Sequence, residues 1–119
     1  MGEERLIITN LQENLLAFPA SSWNEFVERF RSKISLMSRE SMEFMRFFIS
    51  GAQECPIDKQ GRILIPPTLR AHAGLTKDVI FSGSIDRIEI WSKDRWDKEF
   101  EKSSRNFGEN MEKLAGLGL

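Results

Sequence analysis

The sequence predicts an α+β fold made of two diverged copies of one unit, a β-hairpin followed by a helix. Short apolar runs separated by turn residues, Leu6–Thr9 and Leu15–Phe18, predict the first hairpin. Val79–Phe81 and Ile88–Trp91 predict the second. The two hairpins align without a gap at an offset of 73 residues, which places Leu6 on Val79. The helix faces that follow also correspond, with Trp23 falling on Trp96.

The remaining elements follow from capping and breaking residues. Ser22, with Glu25 three residues later, is a capping-box pattern and predicts the start of the first helix. Met42–Ser50 predicts a second helix, apolar around most of its circumference, before Gly51. Ile63–Ile65 predicts a strand. Pro66 and Pro67 then suit the first turn of a short helix that ends at Gly74.

These elements divide the chain into three parts. Residues 2–50 are predicted to be a partial first repeat, residues 52–101 a complete second repeat, and residues 102–119 a polar, disordered tail. The front half of the second repeat, Ala52–Ala73, has no counterpart in the first copy. That counterpart would lie before Met1, so we expect the front half of the first repeat to be absent.

Composition limits the function. The chain has 119 residues, with 17 Lys and Arg against 18 Asp and Glu, so its net charge of −1 excludes a cationic field over the whole molecule. A lone cysteine, Cys55, favours a reducing, cytoplasmic location. No apolar run is long enough to span a bilayer, so we expect no membrane partner. With one histidine, no tyrosine and no catalytic or metal-binding motif, we expect no enzyme activity, small-molecule substrate, cofactor or metal.

One turn carries the candidate chemistry. Gly61 suits a positive φ angle and Asp58 can accept hydrogen bonds from nearby backbone N–H groups, so both are predicted to hold the turn. Arg62 has a flat, permanently charged guanidinium suited to phosphate or guanine. Lys59 and Arg70 are predicted to extend this basic surface. The alternative interpretation is that Arg62 only pairs with Asp58 or with a neighbouring chain.

The longer sequence around this turn is more specific. The segments are Arg46–Cys55, Asp58–Arg70 and Arg87–Trp91. Together they resemble the MraZ family, within the AbrB-like group of swapped-hairpin β-barrels, and the match runs from about Glu3 to Phe100.

The resemblance implies a bacterial transcriptional regulator of the division and cell-wall gene cluster, associated with the nucleoid. It implies a ring-shaped homo-oligomer on repeated boxes of double-stranded promoter DNA. It also implies DNA contact through Lys59 and Arg62, with Arg70 nearby. The family carries a second Asp-x-x-Gly-Arg turn that this sequence lacks. A second hypothesis is therefore a self-assembling scaffold whose DNA binding is lost or weakened.

Other prominent side chains have structural explanations. Trp23, Trp91 and Trp96 could stack on bases, but equivalent positions in a repeat favour the core. The apolar Met42–Ile49 segment favours packing or subunit contact over a ligand site. His72 is expected at a partly exposed surface position.

Overall fold

A computed structural model describes residues 5–34 and 38–118. The expected extent of the first repeat before Arg5, part of the connection after the first helix, and the last residue of the tail lie outside the described residues. Within them the chain forms five strands, five α-helices and one π-helical turn. In chain order these are β1 (Arg5–Asn10), β2 (Leu15–Pro19), α1 (Ala20–Lys33), α2 (Arg39–Phe44), the π-helical turn (Met45–Ile49), β3 (Gln53–Pro56), α3 (Pro67–Ala73), β4 (Val79–Ser84), β5 (Arg87–Ser92), α4 (Lys93–Arg105) and α5 (Phe107–Ala115).

The strands form a single antiparallel sheet in the order β3-β1-β2-β5-β4. The α+β class predicted from the sequence is therefore confirmed. The edges of the sheet are β3, which leads into the candidate turn, and β4. Both predicted hairpins are present, β1 with β2 and β4 with β5.

A local twofold relationship organises the sheet. β2 and β5 pair with Leu16 opposite Glu89, two residues separated by the repeat offset of 73. On either side, Leu15 faces Ile90 and Ala17 faces Ile88. When β1, β2 and α1 are shifted by 73 residues, their bounds fall within one residue of those of β4, β5 and α4. Because Leu16 pairs with its own equivalent and the flanking pairs are exchanged symmetrically, the two hairpin–helix units lie around an axis through Leu16 and Glu89.

Each face of the sheet carries its own core, as alternation along a strand requires. One core packs under α3 and consists of Ile8, Leu15, Ala17, Cys55, Leu69, Ala73 and Ile90. The other core lies under α1 and the π-helical turn and consists of Leu16, Phe18 and Phe48, with Trp23 and Phe26 against it. Thr9 Oγ1 donates a hydrogen bond to the carbonyl of Phe48 and so attaches the π-helical turn to the sheet.

Two long-range contacts fix α3 against the rest of the chain. The Arg95 guanidinium donates through Nη1 to the carbonyls of Glu13 and His72, each at 3.0 Å. The His72 Nε2 lies 2.8 Å from the carbonyl oxygen of Leu11, and its ring meets the edge of Phe47 at 5.3 Å. His72 is partly exposed, as expected, and it also joins α3 to the β1–β2 turn.

Three local expectations from the sequence are wrong. The first helix begins at Ala20 rather than at Ser22, because Pro19 (φ −58°) starts it and no side chain caps it. Ile63–Ile65 is not a strand, since only Ile63 makes a β-bridge, to Ile57. Met42–Ser50 is divided between α2 and the π-helical turn.

The end of the chain also differs from the disordered tail expected over residues 102–119. It continues α4 and then forms α5. All residues from 101 to 118 are exposed.

Candidate nucleic-acid interface

The candidate site is the tight turn Asp58–Arg62 at the tip of the hairpin that follows edge strand β3. The Ile57–Ile63 bridge closes its base. The backbone N–H of Asp58 donates to the Arg62 carbonyl at 2.8 Å, and the N–H of Gly61 donates to the Asp58 carbonyl at 3.0 Å. Gly61 has φ +79°, in the left-handed region that only glycine enters readily. These backbone bonds and the φ angle of Gly61 define the turn.

The Asp58 carboxylate holds the turn from inside. Its Oδ1 accepts the backbone N–H groups of Gln60 at 2.9 Å and of Arg62 at 2.8 Å. Its Oδ2 accepts from Nε of Arg62 at 3.0 Å. The pKa of Asp58 lies below its ordinary value, chiefly because the backbone N–H of Arg62 donates to the carboxylate. Desolvation is the next largest effect and opposes this, while the guanidinium bond and the N–H of Gln60 lower the pKa further. The carboxylate is therefore ionised throughout the neutral range.

The Arg62 side chain is both oriented and accessible. Its Nε bonds Asp58, and its Nη2 donates to the Gln60 side-chain oxygen at 3.2 Å. Its side chain nevertheless remains 74% exposed. A guanidinium has five N–H donors, and these two bonds use two of them. The ion pair with Asp58 that the sequence left as an alternative is present, and it still allows Arg62 to bind an external acceptor.

The other expected basic residues are distributed differently. Lys59 is exposed on the same turn as Arg62. Arg70 is exposed on α3, and in the described parts of the chain no hydrogen bond or ion pair joins it to the turn. The turn thus groups Lys59 and Arg62, while Arg70 stands apart on another element.

Sequence reasoning missed Arg5. Strand pairing sets Arg5 opposite Pro56, two residues before Asp58, and its Nη1 contacts Glu54 Oε2 at 2.8 Å. Arg5 and Glu54 are 49 residues apart in sequence, so only the register of β1 against β3 shows that they are neighbours.

Among residues 5–34 and 38–118, no group of three or more His, Cys, Asp or Glu side chains is placed to hold a metal ion. Over the same ranges, no helix combines the length and apolar character needed to cross a membrane.

Comparison with known proteins identifies the family. Residues 48–117, which include the turn, match the family model described as "MraZ protein, putative antitoxin-like". The chain is 44% identical over 116 residues to a protein of Syntrophobacter fumaroxidans named "Transcriptional regulator MraZ", covering 98% of this chain and 77% of that protein. Proteins of the same name from Lachnoclostridium phytofermentans and Geobacter sulfurreducens are 40% and 41% identical, over 100% and 99% of this chain and 81% of each relative. The chain therefore belongs to the MraZ family.

Proposed function

We propose that this protein regulates transcription by binding double-stranded promoter DNA through the Asp58–Arg62 turn. The observation that carries the proposal is Arg62, whose guanidinium is oriented by Asp58 and Gln60 and is still largely exposed. Similar proteins named "Transcriptional regulator MraZ" support the same role. By the family resemblance, the targets are repeated boxes upstream of the division and cell-wall gene cluster. Such a regulator acts in the cytoplasm at the nucleoid.

In this proposal Arg62 contacts a phosphate or a guanine edge, and Lys59 contacts an adjacent phosphate. Each phosphate contact contributes about −0.9 to the slope of log K against log salt. One turn with two basic residues binds weakly, and the net charge of −1 adds no general attraction. Joining several turns in one ring can raise the affinity by about 10² to 10⁴. The proposed function therefore requires a homo-oligomer whose turns match repeated DNA boxes, with Arg70 as a secondary contact.

The open sheet supports the proposal of an AbrB-like swapped-hairpin barrel. Edge strand β4 carries Phe81, which is 59% exposed. It borders an apolar pocket of about 140 Å³ that is also lined by Leu6, Ile63 and Ile88. An exposed strand edge beside an apolar pocket favours pairing with another chain. We therefore propose two repeats, residues 2–50 and 52–101, with the barrel completed by a neighbouring copy.

Light scattering tests this assembly. We expect a mass several times that of one chain at micromolar concentration. A monodisperse monomer would contradict the swapped barrel and the ring.

The scaffold hypothesis remains the second candidate because the sequence holds a single Asp-x-x-Gly-Arg turn. A scaffold would assemble without binding promoter DNA. Titration of the full chain with direct-repeat promoter DNA at several salt concentrations separates the two functions. A steep salt slope supports the regulator, whereas absence of binding at about 50 mM salt, with the oligomer intact, supports the scaffold.

A further inference from the structure

An open groove lies beside the second hairpin–helix unit. It has a volume of about 830 Å³ and is bordered by the β1–β2 turn, by β5 and by α4. Trp91, Trp96 and Phe100 give it an aromatic wall, with ring centroids 5.9 Å apart in the first pair and 5.6 Å in the second. Glu89 and Glu99 also line it. Trp91 itself is buried, whereas Phe100 is 60% exposed.

The local twofold relationship shows what occupies the equivalent place in the first unit. Phe18 and Trp23, the counterparts of Trp91 and Trp96, make the same edge-on contact at 5.3 Å. There Phe48 lies over both rings, at 6.4 Å from Phe18 and 5.8 Å from Trp23. Phe48 belongs to the π-helical turn that follows α2, and it is only 6% exposed. The first unit is thus closed by a side chain from the helical segments that follow it, and the second is not.

The helix that follows α4 is α5, and its apolar side chains are exposed. The exposed fractions in α5 are 63% for Phe107, 57% for Met111 and 47% for Leu114, and Leu117, two residues beyond its end, is 74% exposed. At about 100° per residue, Phe107, Met111 and Leu114 lie on one face of α5. Together the four side chains expose roughly 450 Å² of apolar surface, a patch larger than monomers usually leave open.

The charged residues of α5 do not oppose docking into a groove that contains carboxylates. On the helical wheel Glu109, Glu112 and Lys113 lie away from the apolar face. Asn110 lies at the edge of that face, where its amide can donate to a carboxylate such as Glu99.

In this structure α5 does not fill the groove of its own chain, since all its residues are exposed. Only Asn106 separates α5 from α4. The N–H of Asn106 donates to the Lys102 carbonyl, and its carbonyl accepts from the Asn110 N–H, so α5 continues α4 with one kink. With α5 in this position, a helix in that groove would come from another molecule.

We propose that α5 of a second copy of this chain docks in the groove lined by Trp91, Trp96 and Phe100. In this contact α5 of one chain covers the second unit of another chain, as Phe48 covers the first unit within a single chain. Two copies that exchange α5 reciprocally would form this contact twice. The inference rests on the homo-oligomer of the proposed function and names one of its contacts.

Site-directed cross-linking of the full chain tests this contact. One variant carries Ser103→Cys at the groove, and a second carries Met111→Cys on the apolar face of α5. Cys55 is buried, so the unsubstituted chain measures the background. After mixing and mild oxidation, we expect mass spectrometry to find a disulfide between residues 103 and 111 of different chains. The matched control replaces Met111→Cys by Glu109→Cys, on the opposite face of α5, and should give at least tenfold less cross-link.

Three results would overturn the inference: no cross-link, equal cross-linking of both variants, or an intrachain disulfide in the Ser103→Cys/Met111→Cys double variant. The last would show that α5 folds back on its own chain. Light scattering and DNA titration of the unsubstituted chain separate this outcome from failure of the proposed function. If the protein is an oligomer that binds DNA but gives no cross-link, only the α5 contact is refuted. If the protein is a monomer that binds no DNA, the proposed function is refuted as well.

Discussion

Among the arginines that extend to the surface, we expect Arg95 to contribute most to the stability of the folded chain. Its Nη1 donates to two carbonyls, of Glu13 and His72, that belong to different parts of the chain, each at 3.0 Å. The same guanidinium lies 3.0 Å from where a Cβ on Gly74 would stand. Arg95→Met keeps the side chain as far as the position of Nε and removes the guanidinium with both hydrogen bonds. It therefore tests the two bonds together with the packing of the guanidinium beside Gly74.

The expected cost follows from the type of bond. A hydrogen bond to a charged group contributes about 1.5–3 kcal/mol, and the bond to Glu13 is exposed, so the lower end applies to it. We expect Arg95→Met to lower the free energy of unfolding by about 2–4 kcal/mol. The matched control is Arg105→Met, which removes an exposed i,i+4 ion pair to Glu101 and should cost about 0.5 kcal/mol or less.

Urea denaturation of both variants at one protomer concentration measures the difference, since assembly would otherwise shift the midpoint. If Arg95→Met costs no more than Arg105→Met, then Arg95 does not join α3 and the β1–β2 turn as described.

Three further predictions concern the turn and the core. Gly61→Ala should destabilise the protein by about 1–2 kcal/mol in denaturant titration, because φ is +79° although a Cβ there meets nothing within 4 Å. Gly108→Ala, within α5, should be neutral or stabilising, and equal effects would refute the backbone argument. Folding lowers the pKa of Asp58, so its carboxylate stabilises the folded state at pH values above the unfolded pKa. This stabilisation is lost as the pH falls below about 3.8. An NMR titration of the Asp58 carboxyl that gives an ordinary or raised pKa would contradict this. Burial, and to a lesser extent Glu54, raises the pKa of Cys55, so a thiol reagent at pH 8 should react much more slowly with the folded than with the urea-unfolded chain. Equal rates would contradict the burial.

The features that the sequence predicted well are local or repeated. Short apolar runs separated by turn residues predicted both hairpins, and the offset of 73 residues corresponds to the observed pairing of Leu16 with Glu89. Asp58 and Gly61 have the geometry expected of a tight turn, because a short loop with these residues has few alternatives.

The features that it predicted poorly depend on tertiary contacts. Arg95 binds a carbonyl 82 residues away, and Arg5 becomes a neighbour of the turn only through strand register. The capping box at Ser22 was wrong because Pro19 starts the helix two residues earlier. The polarity of the tail led to the expectation of disorder, whereas residues Phe107–Ala115 form α5 although all of them are exposed.

The most direct test of the central claim is the salt dependence of promoter binding by Arg62→Ala and by Arg31→Ala. Both substitutions remove one exposed arginine, with side chains 74% and 70% exposed, but Arg31 lies on α1 rather than on the turn. We expect Arg62→Ala to weaken binding and to reduce the salt slope by about 0.9 for each turn that contacts DNA, while Arg31→Ala changes neither and both variants stay folded. Equal affinity and slope for the two variants would contradict DNA binding through the Asp58–Arg62 turn.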